Sequence, residues 1–144
     1  MSVQKLKVAI AGLGRMGKRH AVNYLHRTPR AEVVAAFTPD ETEWAWAKEN
    51  LEPYGVKLYS DYDQMLNHEG LQAVVIATAT KVHAEESLAA LAKDLHVLCE
   101  KPISLDIGTV SRSMFLFITI QLYPIMGRVL IPTPWIVCQG SEGR

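Results

Sequence analysis

Over its first 112 residues the chain alternates short apolar runs with amphipathic stretches. Lys5 to Ala11 (KLKVAIA) is rich in aliphatic residues, stops at Gly12 and predicts a strand. From Met16 to Thr28, the residues Met16, His20, Ala21, Tyr24 and Leu25 share one helical face, and Pro29 punctuates the end. Glu32 to Phe37 (EVVAAF) predicts a short buried strand, and Glu41 to Leu51 carries Trp44, Ala47 and Leu51 at helical spacing. Tyr54-Gly55 marks a turn before a short strand from Val56 to Tyr59. Ser60 or Asp61 can cap a brief helix ending near Leu66. Leu71 to Ala77 (LQAVVIA) is the most apolar strand, His83 to Lys93 places Ala84, Leu88, Leu91 and Ala92 on one helical face, and His96 to Cys99 predicts a fifth strand.

The order is therefore βαβαβαβαβ. Strands that are apolar without in/out alternation, separated by helices, imply a parallel sheet covered on both faces. Right-handed crossovers close such a chain into a doubly wound, Rossmann-like α/β sheet.

Composition changes this picture mainly at one end. The 144 residues are 49% hydrophobic and 21% charged, as in an ordinary globular domain. Fifteen basic residues balance fifteen acidic ones, which is not the electrostatic footprint of a nucleic-acid binder. Two cysteines and no leader ahead of the first strand point to a reducing, cytoplasmic setting. The charges are uneven, however: beyond Arg112 only Arg128, Glu142 and Arg144 are charged, and Met114 to Cys138 holds a single charge in 25 residues. The chain thus divides into a domain over 1–112 and an apolar tail over 113–144. The tail reads in three ways: a membrane anchor, a β-prone pair of strands completing the sheet, or foreign sequence from a frameshift, a retained intron or a misplaced gene boundary. Pro124, Arg128, Pro132 and Pro134 interrupt the stretch that an anchor would need, and the abrupt break favours foreign sequence.

The chemistry gathers at strand ends. Gly12-Leu13-Gly14-Arg15-Met16-Gly17 is a G-x-G-x-x-G directly after the first strand and at the opening of the first helix. Lys5 to Phe37 spans 33 residues, the length of one βαβ unit. Gly12 permits the turn, Gly14 lets a pyrophosphate approach the backbone, and Gly17 lets the helix pack on the sheet. The helix N-terminus offers free N–H groups and a positive dipole end, so all six loop residues are cofactor-binding candidates.

After the second strand an Asp or Glu would bond the adenosine ribose and favour NAD. Here Thr38 stands in that place, with Asp40 two residues on. A neutral Thr38 spares a 2′-phosphate from repulsion, which tilts the choice between NAD and NADP slightly toward NADP. Arg15 is a cation that the fold can bring near. Asp40 reads either as a ribose ligand or as a helix N-cap.

Thr78 and Thr80 follow the fourth strand and would line the crevice opposite the glycine loop, Thr80 also being a good N-cap. His83 opens the next helix, where a lone histidine more often packs than catalyses. The fifth strand runs into Glu100-Lys101-Pro102. Either this is a solvated pair, or Glu100 and Lys101 bind cofactor or substrate hydroxyls and Lys101 donates to a carbonyl or alkoxide. Proline holds Lys101 extended and admits a cis bond.

Together, KVAIAGLGRMGKRHA, AVVIATATKVHAEESLAAL and HVLCEKPIS resemble the nucleotide-binding domain of the Gfo/Idh/MocA oxidoreductases, which include glucose–fructose oxidoreductases and inositol dehydrogenases. The resemblance covers about residues 5–106. It implies that Gly12, Gly14 and Gly17 hold NAD or NADP, that Lys101 is the catalytic-site lysine beside the nicotinamide, and that His83 lies near the cofactor cleft. This chain departs from the family at Thr38, where Asp is usual, and at Asp94, where Gly is frequent; Asp tolerates the left-handed backbone better than most residues. The family also implies a second α+β domain that holds a sugar or polyol substrate and supplies a catalytic His. No pattern for that domain occurs after about Val110. Dinucleotide binding without efficient turnover is the expectation. The alternatives are a non-catalytic cofactor sensor or interaction protein of the same fold, and a gene-model fragment.

Overall fold

In the computed structural model, residues 4–104 and Gly108 are described. Strands β1 (Leu6–Ala11), β2 (Ala31–Phe37), β3 (Lys57–Tyr59), β4 (Ala73–Ile76) and β5 (His96–Cys99) alternate with helices α1 (Arg15–Arg27), α2 (Glu41–Asn50), α3 (Tyr62–Leu66) and α4 (His83–Leu91). The sheet is wholly parallel in the order β3-β2-β1-β4-β5, the doubly wound arrangement expected from the apolar runs. The order reverses between β1 and β4, so a crevice opens at the carboxyl ends of those two strands.

The central strands are apolar over their buried residues because helices cover both faces there. Val8, Ile10, Val33 and Val75 pack with Ala21 of α1 and Ala47 of α2. Ala9, Ala11, Val74 and Ile76 pack on the opposite face with Met65 and Leu66 of α3 and Ala90 and Leu91 of α4. The many alanines (Ala9, Ala11, Ala35 and Ala36 are all essentially buried) let the helix backbones sit close to the sheet.

Some faces differ from the sequence-based expectation. The buried stripe of α1 is Gly17 and Ala21, with Met16 and His20 at the margin. On α2 it is Trp46, not Trp44, that packs against the core with Ala47 and Leu51. The buried face of α4 is His83, Ala84, Ser87, Ala90 and Leu91; Leu88 is half-buried and Ala92 exposed. A 3-10 turn over Thr80–Val82 precedes α4, so Val82 rather than Thr80 takes the N-cap position. That turn rotates the helix relative to a simple periodic count. Asp94 has φ +58° and Gly12 has φ +82°; Asp94 thus sustains the left-handed turn in place of glycine. Among the described residues no helix is long and apolar enough to cross a membrane. The three readings of residues 113–144 lie outside the described residues.

Candidate dinucleotide site

Backbone hydrogen bonds continue the parallel ladder beyond the strand ends and bring four loops together. Gly12 N–H donates to Phe37 O (2.8 Å), Thr38 N–H to Tyr59 O (3.1 Å), Ala77 N–H to Ala11 O (2.8 Å) and Glu100 N–H to Ile76 O (2.9 Å). The residues predicted from sequence therefore converge at one edge of the sheet.

The three glycines are glycines for different reasons. A Cβ on Gly12 would lie 2.7 Å from the backbone of Thr78, in addition to its positive φ. A Cβ on Gly17 would lie 1.8 Å from Gly12 O, so the helix could not sit where it does. Gly14 is unlike both: its φ is −65°, and the nearest atom to an added Cβ is Glu43 Oε1, at 3.4 Å, an ordinary contact with the end of a flexible side chain. The protein's own packing gives no reason for glycine there. What a side chain would obstruct is the open space in front of α1.

That space meets a helix end with no side-chain cap and no acidic residue in its first turn. By contrast, Asp40 caps α2, accepting from Thr42 N–H (2.8 Å) and Glu43 N–H (3.0 Å), and Asp61 caps α3 by accepting from Gln64 N–H (2.8 Å). The first N–H groups of α1 are thus left to an external anion.

Two clefts flank Gly14 and share Ala77 and Thr78. One, of about 480 Å³, is lined by Phe37, Pro39, Asp40, Glu43 and Glu86 among others. The other, of about 380 Å³, is lined by Arg15, Met16, Thr80, His83, Glu100 and Lys101. An elongated ligand laid over Gly14 would place one half in each. A further cleft of about 500 Å³, lined by residues such as Gln4, Leu6, Arg30 and Gln72, sits at the opposite end of the strands and contains none of these groups.

In the first cleft, Thr38 is buried and its hydroxyl donates to Glu43 Oε2 at 2.5 Å. Glu43 Oε2 also accepts from Leu13 N–H at 3.0 Å. The premise of a neutral ribose pocket at Thr38 is corrected by this contact: a carboxylate from α2 occupies the position. Arg15 lines the other cleft, away from Thr38. Asp40 is exposed and serves as the N-cap, and the Thr42 hydroxyl, with the backbone N–H groups it caps, holds its carboxyl below the usual carboxylate range. On the far wall Thr78 donates to Glu86 Oε2 at 2.5 Å, while burial pushes Glu86 above the usual range.

In the second cleft, His83 is buried with both ring nitrogens against backbone carbonyls, Nδ1 at 2.9 Å from Pro102 O and Nε2 at 3.0 Å from Thr78 O. It lies between the β4 and β5 loops with both nitrogens turned to these carbonyls rather than to the cleft; as a neutral ring it donates to one of the two. The Lys101–Pro102 bond is cis and the lysine side chain is exposed. Glu100 faces His20 Nε2 of α1 at 2.6 Å, and that hydrogen bond holds its carboxyl low. Burial pushes the Cys99 thiol up, which leaves it a poor nucleophile.

Sequence reasoning missed Glu43, His20 and Glu86. Glu43 stands three residues after the cap, where a capping-box glutamate would bond back to the cap N–H. Here Thr38 Oγ1 takes the Asp40 N–H at 3.2 Å instead, and Glu43 turns to the glycine loop.

Residues 6–116 match the model of an oxidoreductase family with an NAD-binding Rossmann fold, Gfo/Idh/MocA. An inositol 2-dehydrogenase from Arthrobacter sp. (strain FB24) is 40% identical over 103 residues, covering 72% of this chain and 30% of that protein. A myo-inositol 2-dehydrogenase from Thermotoga maritima is 33% identical over 108 residues, 74% of this chain and 31% of its own length. The crystal structure of scyllo-inositol dehydrogenase from Lactobacillus casei with bound NAD(H) and scyllo-inositol superposes with a TM-score of 0.74 at 33% identity, over 82% of this chain and 34% of that one. The chain spans about 30% of the length of the curated relatives it matches. Fold, glycine loop and sequence similarity agree: the chain belongs to the Gfo/Idh/MocA oxidoreductase family and carries its NAD-binding Rossmann domain.

Proposed function

We propose that this domain binds NAD(H) over the Gly12–Gly17 loop and serves the oxidation of a polyol hydroxyl of the inositol class. The observation that carries the binding half is Gly14, a glycine that the fold does not require, in front of an uncapped helix end. Backbone N–H groups of the first turn of α1, at Arg15 and Met16, take the pyrophosphate. The adenosine ribose falls to the cleft with Thr38, Asp40 and Glu43, and the nicotinamide to the cleft with Thr78, Thr80 and Lys101. When bound, the nicotinamide supplies hydride exchange at its C4. Glu100 holds α1 against the Lys101 loop through His20, and His83 holds that loop to Thr78, so both act as positioning residues. Lys101 presents an ammonium to a substrate oxygen at the mouth of its cleft. The inositol class is supported by the names of the relatives. A cytoplasmic setting suits a domain whose Cys99 is a free thiol.

For this chain by itself we expect binding without efficient turnover. Among the described residues, the histidine lining the Lys101 cleft turns both ring nitrogens toward the backbone carbonyls of Thr78 and Pro102 rather than into the cleft. Calorimetric titration with NADH tests the reading, with a saturating one-to-one isotherm expected. A featureless titration would remove it. Steady oxidation of NADH with an inosose, or reduction of NAD with inositols, would show that the chain is catalytically competent instead.

A further inference from the structure

We infer that Glu43 is the residue that selects NAD over NADP, standing in from α2 for the acid missing at the end of β2; the inference rests on the dinucleotide reading above. Its Oε2 is held by two donors, Leu13 N–H at 3.0 Å and the Thr38 hydroxyl at 2.5 Å. Its Oε1 faces Gly14, 3.4 Å from where a Cβ would be. The carboxylate is thereby fixed between the glycine loop and the end of β2, the place from which an acid reaches the adenosine ribose 2′-hydroxyl. Thr38 is not a substitute for that acid but its support. Its hydroxyl accepts from Asp40 N–H at 3.2 Å and donates onward to Glu43, which relieves Glu43 of capping duty.

The surroundings reinforce the sign. The cleft that Glu43 lines also holds Asp40 and Glu86, against the ammonium of Lys81, while Lys18 acts on Asp40 from α1 and Arg15 lines the other side of Gly14. A ribose diol finds an acceptor there. A 2′-phosphate finds a like charge held in place by two hydrogen bonds, and desolvating the two together is unfavourable.

The test is a titration of the full chain and of Glu43→Gln with NAD and with NADP. The wild-type chain is expected to bind NAD about 10- to 100-fold more tightly than NADP, the range for one charge-assisted hydrogen bond. Glu43→Gln keeps an acceptor for Leu13 and Thr38 but removes the charge, and should shrink that ratio about tenfold or more, chiefly by improving NADP. An unchanged ratio in a folded variant would overturn the assignment. Should Glu43→Gln fail to fold, competition in the wild-type chain between 5′-AMP and adenosine 2′,5′-bisphosphate decides the matter: preference for 5′-AMP supports the role, and equal binding overturns it. If the wild-type chain binds neither dinucleotide, the dinucleotide reading fails and this assignment with it. Binding of both with equal affinity overturns the Glu43 role alone.

Discussion

Gly12, Gly14 and Gly17, two and three residues apart, obey different physics, and substitution separates them. Gly12→Ala and Gly17→Ala each force a Cβ into backbone and should lower stability by several kcal/mol, on the order of the larger effects of single substitutions. Gly14→Ala meets only an ordinary contact and, at an N-cap position where Ala is less favoured than Gly, should cost the ligand-free chain about 0.5 kcal/mol, far less than the other two. Circular-dichroism melts of the three variants check this ordering. A melt of Gly14→Ala as damaged as that of Gly17→Ala would mean that the loop's middle glycine is structural. Asp94 gives the opposite case. Its φ of +58° is adopted at a cost by any residue with a side chain, so Asp94→Gly should stabilise the chain by up to about 1 kcal/mol, read as a rise in melting temperature. Much at this scale was legible beforehand: the glycine spacing, the capping role open to Asp40, and the tolerance of Asp94 follow from residue type and neighbours. Glu43 was not legible, because its role depends on which N–H Thr38 accepts, and a capping-box pattern predicts the other partner.

Elements were legible where burial is two-sided or spacing is unbroken. β1, β2 and β4 announce themselves as aliphatic runs because both of their faces are covered, while β5, at the edge, buries Val97 and exposes Leu98; the parallel order follows from the helices between the strands. The face of α4 was misjudged because the Thr80–Val82 turn resets the helix before His83, and no periodicity in the sequence marks a 3-10 turn. Two predictions belong here. Leu51, fully buried at the end of α2, seals that helix to the sheet, and Leu51→Ala should cost about 2 to 5 kcal/mol in a denaturant melt. Glu86 couples α4 to the β4 loop through Thr78, and burial raises its pKa in the fold. A group raised in the folded state contributes most when protonated, below its unfolded value of 4.5, and that contribution is lost as pH rises through the folded pKa. Glu86→Gln should therefore melt higher than the wild-type chain at neutral pH, with the gap closing in acid as pH falls toward the unfolded value. A gap that is constant with pH would show that the charge is not the cause.

At the scale of the whole molecule, the sheet's reversal between β1 and β4 creates one crevice, and the glycine loop divides it into two clefts of different character. The cleft with Glu43 and the cleft with Lys101 meet at Gly14, Ala77 and Thr78, which is the geometry an extended two-part ligand needs. The overall architecture was legible from the alternation of strands and helices, whereas the charge of each cleft was not, since Glu43 and Glu86 arrive from helices that share no motif with the loop. The part of its relatives that this chain matches, about 30% of their length, is the NAD-binding domain.

The most direct test of the account is the thermal shift produced by saturating NAD on the full chain and on Gly14→Ala. At a concentration a hundredfold above the dissociation constant, binding adds about 2.7 kcal/mol, a shift on the order of 10 °C for a domain of this size. The wild-type chain should show that rise, and Gly14→Ala, melting at nearly the same temperature without ligand, should show little or none. An equal rise in both would contradict the assignment of the diphosphate to the bare backbone at Gly14.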